Sequence, residues 1–201
     1  MIKADLHIHT TFSDDSETTP KALVEQLMAH PTVKAAAVTD HDTVKGIQPI
    51  RQLASAYSDI LIIPGVEIST PDGDIIILGA EELPPKPWTV KSVVDFARDC
   101  NFVSVAAHPF REWGLGELTR DSGVDAIEVL NGASTPAANK QASELAASMG
   151  LPGIGGSDSH KPSELYTVYT EVQAGMYVDE ILSAIKRGKV LVSQAAGSIR
   201  F

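Results

Sequence analysis

The chain has 201 residues, 43% of them hydrophobic, enough to bury a substantial core in what is expected to be one domain over residues 1–201. A formal charge of −10 disfavours a surface that tracks nucleic-acid backbone, which needs a basic face, yet it admits a small anionic substrate if bound cations reverse the local field. The single cysteine, Cys100, excludes an internal disulfide and no apolar run reaches membrane-spanning length, so a cytoplasmic protein with no membrane partner and no stable duplex nucleic-acid partner is expected.

Short runs rich in β-branched residues alternate with helix-like stretches from one end of the chain to the other. Strands are predicted over residues 2–9, 33–39, 60–68, 74–79, 102–107, 125–130, 152–156 and 166–172. Between them, Thr19 before Pro20, Thr89 before Val90 and Thr135 before Pro136 each pair a capping hydroxyl with a residue suited to a first helical turn. Gly150 and Gly188 stand where helices are expected to stop. Pro84, Pro85 and Pro87 mark a stiff loop, after which the rhythm resumes. This alternation is that of an α/β protein built on parallel strands.

Polar residues fall at particular places in that rhythm. His7 and His9 end the first strand, His41 follows the second, Glu67 ends the third, His108 closes another, and Asp158 and His160 follow Gly155 and Gly156. In a barrel of parallel strands the carboxyl ends converge on one face, so residues distant in sequence become neighbours there. Positions two apart in a strand share a face, so His7 and His9 are placed to grip one ion, and Asp158 with His160 repeats the spacing. Gly155 and Gly156 would let backbone approach closely at that point. His30, before Pro31, is expected to serve the end of its helix rather than the site, and Cys100 to be a small structural apolar residue. Asp40 and Asp42 flank His41 and are expected to fix its tautomer, while Asp15 is expected to be solvated.

Five segments in order, Asp5-Leu-His-Ile-His-Thr-Thr-Phe-Ser-Asp14, Thr39-Asp-His-Asp-Thr43, Gly65-Val-Glu-Ile-Ser69, Ala107-His-Pro-Phe-Arg111 and Gly156-Ser-Asp-Ser-His160, resemble the successive motifs of the PHP (polymerase and histidinol phosphatase) family. The resemblance implies a distorted (β/α)7 TIM-like barrel with a metal site at the carboxyl ends of its strands. It also implies two or three divalent ions, manganese, zinc or iron, that hydrolyse phosphoesters. Carried over residue by residue, His7, His9, Glu67 and Asp158 would hold one ion, and Glu67 would bridge to a second also held by His108. Asp14, His41 and His160 would hold a third. Where histidinol phosphatases carry a further histidine this chain offers Glu128 or Asn131, and where other small members carry one it has Gly73 and Asp74.

The expected function is therefore metal-dependent hydrolysis of a small phosphorylated metabolite or a nucleotide-like phosphoester by a metal-bound hydroxide. Arg111 suits a non-bridging phosphate oxygen and is counted with the catalytic residues, Lys161 suits the same oxygens, and His160 is a candidate acid for the leaving group. Two other readings are a hydrolase of another bond, such as an amide, and a metal-binding or interaction module without catalysis. The full ligand set weighs against the module.

Overall fold

A computed structural model describes residues 1–195 of the chain, so residues 196–201 of the expected unit lie outside it. Nine strands form one sheet in the order β7-β6-β5-β4-β3-β2-β1-β8-β9. They are β1 (Ile2–Ile8), β2 (Val33–Val38), β3 (Leu61–Thr70), β4 (Gly73–Leu78), β5 (Val103–Ala106), β6 (Ala126–Asn131), β7 (Gly153–Gly156), β8 (Val168–Val172) and β9 (Val190–Gln194). The helices are α1 (Pro20–Ala29), α2 (Ile47–Ala54), α3 (Val90–Asp99), α4 (Thr119–Ser122), α5 (Pro136–Met149) and α6 (Val178–Lys186).

The barrel-like α/β architecture is as expected, but it is not a ring of seven repeated βα units. β4 runs antiparallel to both β3 and β5, and β8 antiparallel to β1 and β9. The sheet nearly closes, because β7 returns to β1. The Asp158 N–H donates to the His7 carbonyl at 2.8 Å and the His9 N–H to the Ser159 carbonyl at 3.1 Å. Further along β7, Thr170 Oγ1 receives the Gly155 N–H at 2.8 Å and donates to the Gly155 carbonyl at 2.9 Å. The final strand, β9, was not foreseen, because it is a half-exposed edge whose alternating burial is weak.

Capping chemistry fixes the helix starts. Thr19 and Thr135 accept from the N–H groups of Ala22 and Ala138, and Thr89 forms a reciprocal capping box with Ser92. Gly150 closes α5 at φ 66°, a left-handed conformation that glycine adopts without strain. His30 does serve the end of α1, but as an acceptor: its Nδ1 receives the N–H groups of Thr32 and Val33, so the ring is neutral and does not act as a cation. Burial and nearby Lys34 hold its pKa below the ordinary value accordingly. Cys100 stands at the end of α3 and is exposed rather than packed in the core.

One apolar cluster fills the barrel, with Ala4, Leu6, Ala35, Ala37, Ile63, Ile76 and Val105, and shares its members with α6 through Ile181, Leu182 and Ile185. A second lies outside against α3 and α5, and a third joins Ile8, Val38 and Ile62 to Leu23 and Leu27 of α1 and Ile50 of α2. β1 changes its parity between these layers. Ala4 and Leu6 belong to the interior, whereas Ile8 belongs to the outer layer, and the pairing with β2 shifts register between Asp5 and Ile8. An irregularity of this kind re-aims the side chains beyond it, and here it turns His7 and His9 inward.

The return of β7 depends on Gly156. A Cβ there would lie 2.4 Å from His7 Cβ and 2.7 Å from the His7 nitrogen. Gly156→Ala must therefore push β7 and β1 apart, and it should lower stability by about 1–3 kcal/mol, read as a lower urea midpoint. An unchanged midpoint would show that the two backbones have room to spare.

Candidate metal centre

The carboxyl ends of the parallel strands meet at one rim, and the reversal of β4 brings its amino end to the same place. Asp74 thus enters the site from the start of a strand, paired across the β3–β4 hairpin with Ser69. An expectation confined to carboxyl ends passes over it, although its position next to Gly73 already coincided with a place where relatives carry a ligand.

Four atoms converge at the centre. His7 Nε2 and His9 Nε2 lie 3.0 Å apart, each 3.1 Å from Glu67 Oε2, and Asp158 Oδ1 is 3.4 Å and 3.3 Å from the two nitrogens. All four side chains are buried. Glu67 turns its other oxygen the opposite way, with Oε1 3.0 Å from His108 Nε2. Glu67, Asp74 and His108 thus form a second group of possible ligand atoms, and His9, His41 and His160 a third. His41 Nδ1 is 3.4 Å from Glu67 Oε2, and it is buried without a hydrogen bond, as is His108 Nδ1.

It is Asp15, one residue past the first motif, that approaches this third group, with Oδ2 3.0 Å from His160 Nε2 and 3.6 Å from His41 Nε2. Asp14 is exposed and belongs to none of the clustered groups among the described residues. The Ser13–Ser16 turn, with Ser16 N–H bonded to the Ser13 carbonyl, decides which of two adjacent carboxylates faces inward, and spacing alone does not reveal that.

The residues around the cluster set its proton positions. His7 Nδ1 is 3.0 Å from Glu128 Oε1, so it donates there and leaves Nε2 as a lone pair. Glu128 Oε2 in turn accepts from the His108 N–H at 2.8 Å and Asn131 Nδ2 at 3.0 Å, and Asn131 Nδ2 also reaches Asp158 Oδ2 at 3.1 Å. His9 Nδ1 faces Ser13 Oγ at 3.4 Å, and that hydroxyl donates to Asp40 at 3.1 Å. Asp40 therefore acts on His9 through Ser13 rather than on the ring of His41. Asp42 likewise leaves that ring alone and receives the Ser69 N–H at 2.9 Å.

These contacts test whether the site suits a cation. With both Nδ1 atoms facing acceptors, two imidazole lone pairs and two carboxylate oxygens point at one buried space, an arrangement that is repulsive until positive charge lies among them. In the polypeptide alone that charge comes from Arg111, which reaches Asp158, and from protons. Burial disfavours charge on His7 and His9, but Asp158, Glu128 and Glu67 raise His7 well above the ordinary value, and bonds to Asp158 and Glu67 raise His9 to about 9. Burial also opposes the charge on Glu67, yet His7 and the neighbouring imidazole bonds hold it well below the carboxylate range. Burial and Glu67 push Asp74 up to about 6. Histidine and carboxylate donors of this number and convergence fit divalent ions.

The cluster forms the floor of a cavity of about 570 Å³ whose walls include Arg111, Glu112 and Trp113. Arg111 lines the cavity and pairs its Nη1 with Asp158 Oδ2. Lys161 is exposed and lies outside the lining, with its backbone N–H bonded by Glu164, so the structure does not bring it to the cavity. His108 and Asp158 have φ of 26° and 50°, strained values for residues with side chains, which concentrate where a site fixes the backbone.

The PHP domain family matches residues 5–112, and a PHP-associated family matches residues 136–190. An uncharacterized protein of Methanocaldococcus jannaschii is 28% identical over 142 residues, covering 65% of this chain and 82% of that protein. The 5'-3' exoribonuclease Rnm of Escherichia coli is 49% identical over 67 residues, 33% of this chain but only 22% of the exoribonuclease. A phosphoribosyl 1,2-cyclic phosphate 1,2-diphosphodiesterase of Eggerthella lenta is 34% identical over 87 residues, 40% of this chain and 32% of that enzyme. Among solved structures, PsfC of Pseudomonas syringae superposes with a TM-score of 0.76 at 19% identity, covering 98% of this chain and 93% of the other. An amidohydrolase of Chromobacterium violaceum with bound sulfate gives 0.67 at 18% identity, covering 97% and 99%. At such identities these two likenesses bear on the fold alone.

Proposed function

The chain belongs to the PHP domain family, and on that premise we propose that it is a metal-dependent phosphoesterase acting on a small phosphorylated metabolite or a nucleotide-like phosphoester. The observation that carries the reading is the divergence of the two Glu67 oxygens, one toward His7 and His9 and the other toward His108. A carboxylate is able to share its oxygens between adjacent cations, which an imidazole does not do. The matches to an exoribonuclease and a phosphodiesterase support the bond class, although the chain spans only part of each.

In this reading His7, His9, Glu67 and Asp158 would hold one ion, Glu67, Asp74 and His108 a second, and His41 and His160 with Asp15 a third. When bound, divalent ions supply positive charge against the phosphoryl oxygens and acidify nearby water. The side chains do the rest. Glu128 keeps a proton on Nδ1 of His7, and the Ser13–Asp40 pair does the same for His9, so both present lone pairs to the ions. Arg111 offers its remaining N–H donors to a phosphate oxygen while Asp158 anchors one of its nitrogens. With the third site empty, His160, its Nε2 3.0 Å from Asp15 Oδ2 at the cavity mouth, is placed to give a proton to the leaving alkoxide.

A panel of phosphomonoesters and phosphodiesters assayed with manganese tests the reaction class. Turnover that requires the metal and disappears in Asp158→Ala, with the fold intact by circular dichroism, is expected. Hydrolysis of no phosphoester, or undiminished turnover in that variant, would contradict the proposal.

A further inference from the structure

Trp113 is the largest apolar side chain left open at the site. It is 73% exposed, and it lines the same cavity as Arg111, His108 and Asp158. Among the described residues its indole takes part in no ring contact, cation contact or hydrogen bond, whereas the other tryptophan, Trp88, donates to the Pro84 carbonyl and lies under Lys86. A single exposed indole is ordinary on a surface, but this one stands on the wall of the cavity that the cluster floors.

Its backbone does not float. Trp113 sits at φ 66°, a conformation in which a bulky side chain is strained and where glycine or asparagine would be easier. The strain is held from both sides. The Trp113 carbonyl accepts the Asp74 N–H at 2.7 Å, and the Gly114 N–H bonds the Arg111 carbonyl at 3.0 Å. A Cβ on Gly114 would lie 2.4 Å from the His108 carbonyl oxygen, so the turn is wound as tightly as backbone allows. The same Asp74 that faces the cluster therefore anchors the Trp113 backbone, and the indole is carried from a fixed point on the rim.

We propose that Trp113 is a stacking platform for a planar, π-rich ring carried by the substrate at the end remote from its phosphate. The inference rests on the phosphoesterase reading and narrows its substrate to one class, a nucleotide or a similar ring-bearing phosphoester. The cavity is of a size that takes such a molecule, since ligand pockets run to roughly 300–1,000 Å³. Its floor carries the groups suited to a phosphate, and its mouth carries one flat apolar face. Glu112 and Asp15 at the mouth disfavour a second phosphate there, which leaves an uncharged ring as the better occupant. Indole binds any base through its face, so the platform selects for a ring and not for one base.

The test compares adenosine 5′-monophosphate with ribose 5-phosphate, which has the same phosphate and sugar and no ring. Adenosine monophosphate should quench the tryptophan emission of the metal-loaded protein saturably, ribose 5-phosphate should not, and the quenching should be absent in Trp113→Ala. The ratio of kcat/KM for the two substrates should fall about 10- to 100-fold in Trp113→Ala, chiefly through KM for the nucleotide, as loss of one base stack predicts, and Trp113→Phe should recover most of it. Unquenched emission with the nucleotide, or an equal loss for both substrates, would overturn the platform while leaving the phosphoesterase reading in place. Saturable quenching of wild type and not of Trp113→Ala, with neither these compounds nor any other member of the phosphoester panel hydrolysed, would uphold the platform and overturn the phosphoesterase reading.

Discussion

Glu67→Gln is expected to abolish metal-dependent turnover, lowering it by at least roughly a thousandfold, while leaving the fold in place. Glutamine keeps the shape of glutamate but has only one acceptor atom. Whichever way its amide lies, a two-proton donor then faces either His7, His9 and His41 or His108, in a region where every partner is arranged to meet a carboxylate oxygen. One of two adjacent cation sites loses its shared ligand, and the negative charge that balanced both is gone. The substitution should also reduce the number of ions retained per chain by at least one. Circular dichroism and a urea titration establish that the fold survives, and activity within tenfold of wild type would show that Glu67 is not the bridge.

The parts of this site that were legible in sequence are those the chain repeats by rule. His7 and His9, two apart at a strand end, and Asp158 with Gly155 and Gly156, are read from strand periodicity and from the need for close backbone approach. The structure gives the physical basis of the second: Gly156 touches His7. Even so, periodicity alone would have sent His7 and His9 to the wrong face. Only the register shift between Asp5 and Ile8 turns them inward, and the local sequence carries no mark of it.

What escaped the sequence was set by tertiary geometry. Asp74 reaches the site because β4 runs backwards, a property of the hairpin and not of the residue. Asp15 rather than Asp14 faces the histidines because of one turn. Glu128 and Asn131 stand where a ligand was a possibility, yet their oxygens and amide are engaged in orienting His7, His108 and Asp158. Asp40 bypasses its neighbour His41 and works on His9 through Ser13. In each case the identity of the residue was visible and the partner it serves was not.

The second large effect concerns stability. Glu67, Asp158, His7 and His9 are fully or almost fully buried, and without added cations they are compensated by Arg111 beside Asp158 and by protons shared among themselves. An ion that binds the folded chain and not the unfolded one stabilises it by mass action, about 2.7 kcal/mol at a hundred times its Kd for one site. For a chain of this size that corresponds to a rise in Tm of roughly 5–10 °C, and more if a second site fills. Protein stripped with a chelator should therefore melt at least about 5 °C below the same protein with manganese or zinc restored. Asp158→Ala, which keeps the fold but lacks one of the four converging atoms, should respond much less. Equal melting of stripped and restored wild type would show that the cluster is a proton-balanced network with no cation in it.

That cluster is the central claim, and counting its ions tests it most directly. Protein freed of metal, titrated with manganese or zinc and assayed for bound metal per chain should reach two ions or more at saturation, with Glu67→Gln falling short of wild type. Fewer than two ions per wild-type chain would contradict it.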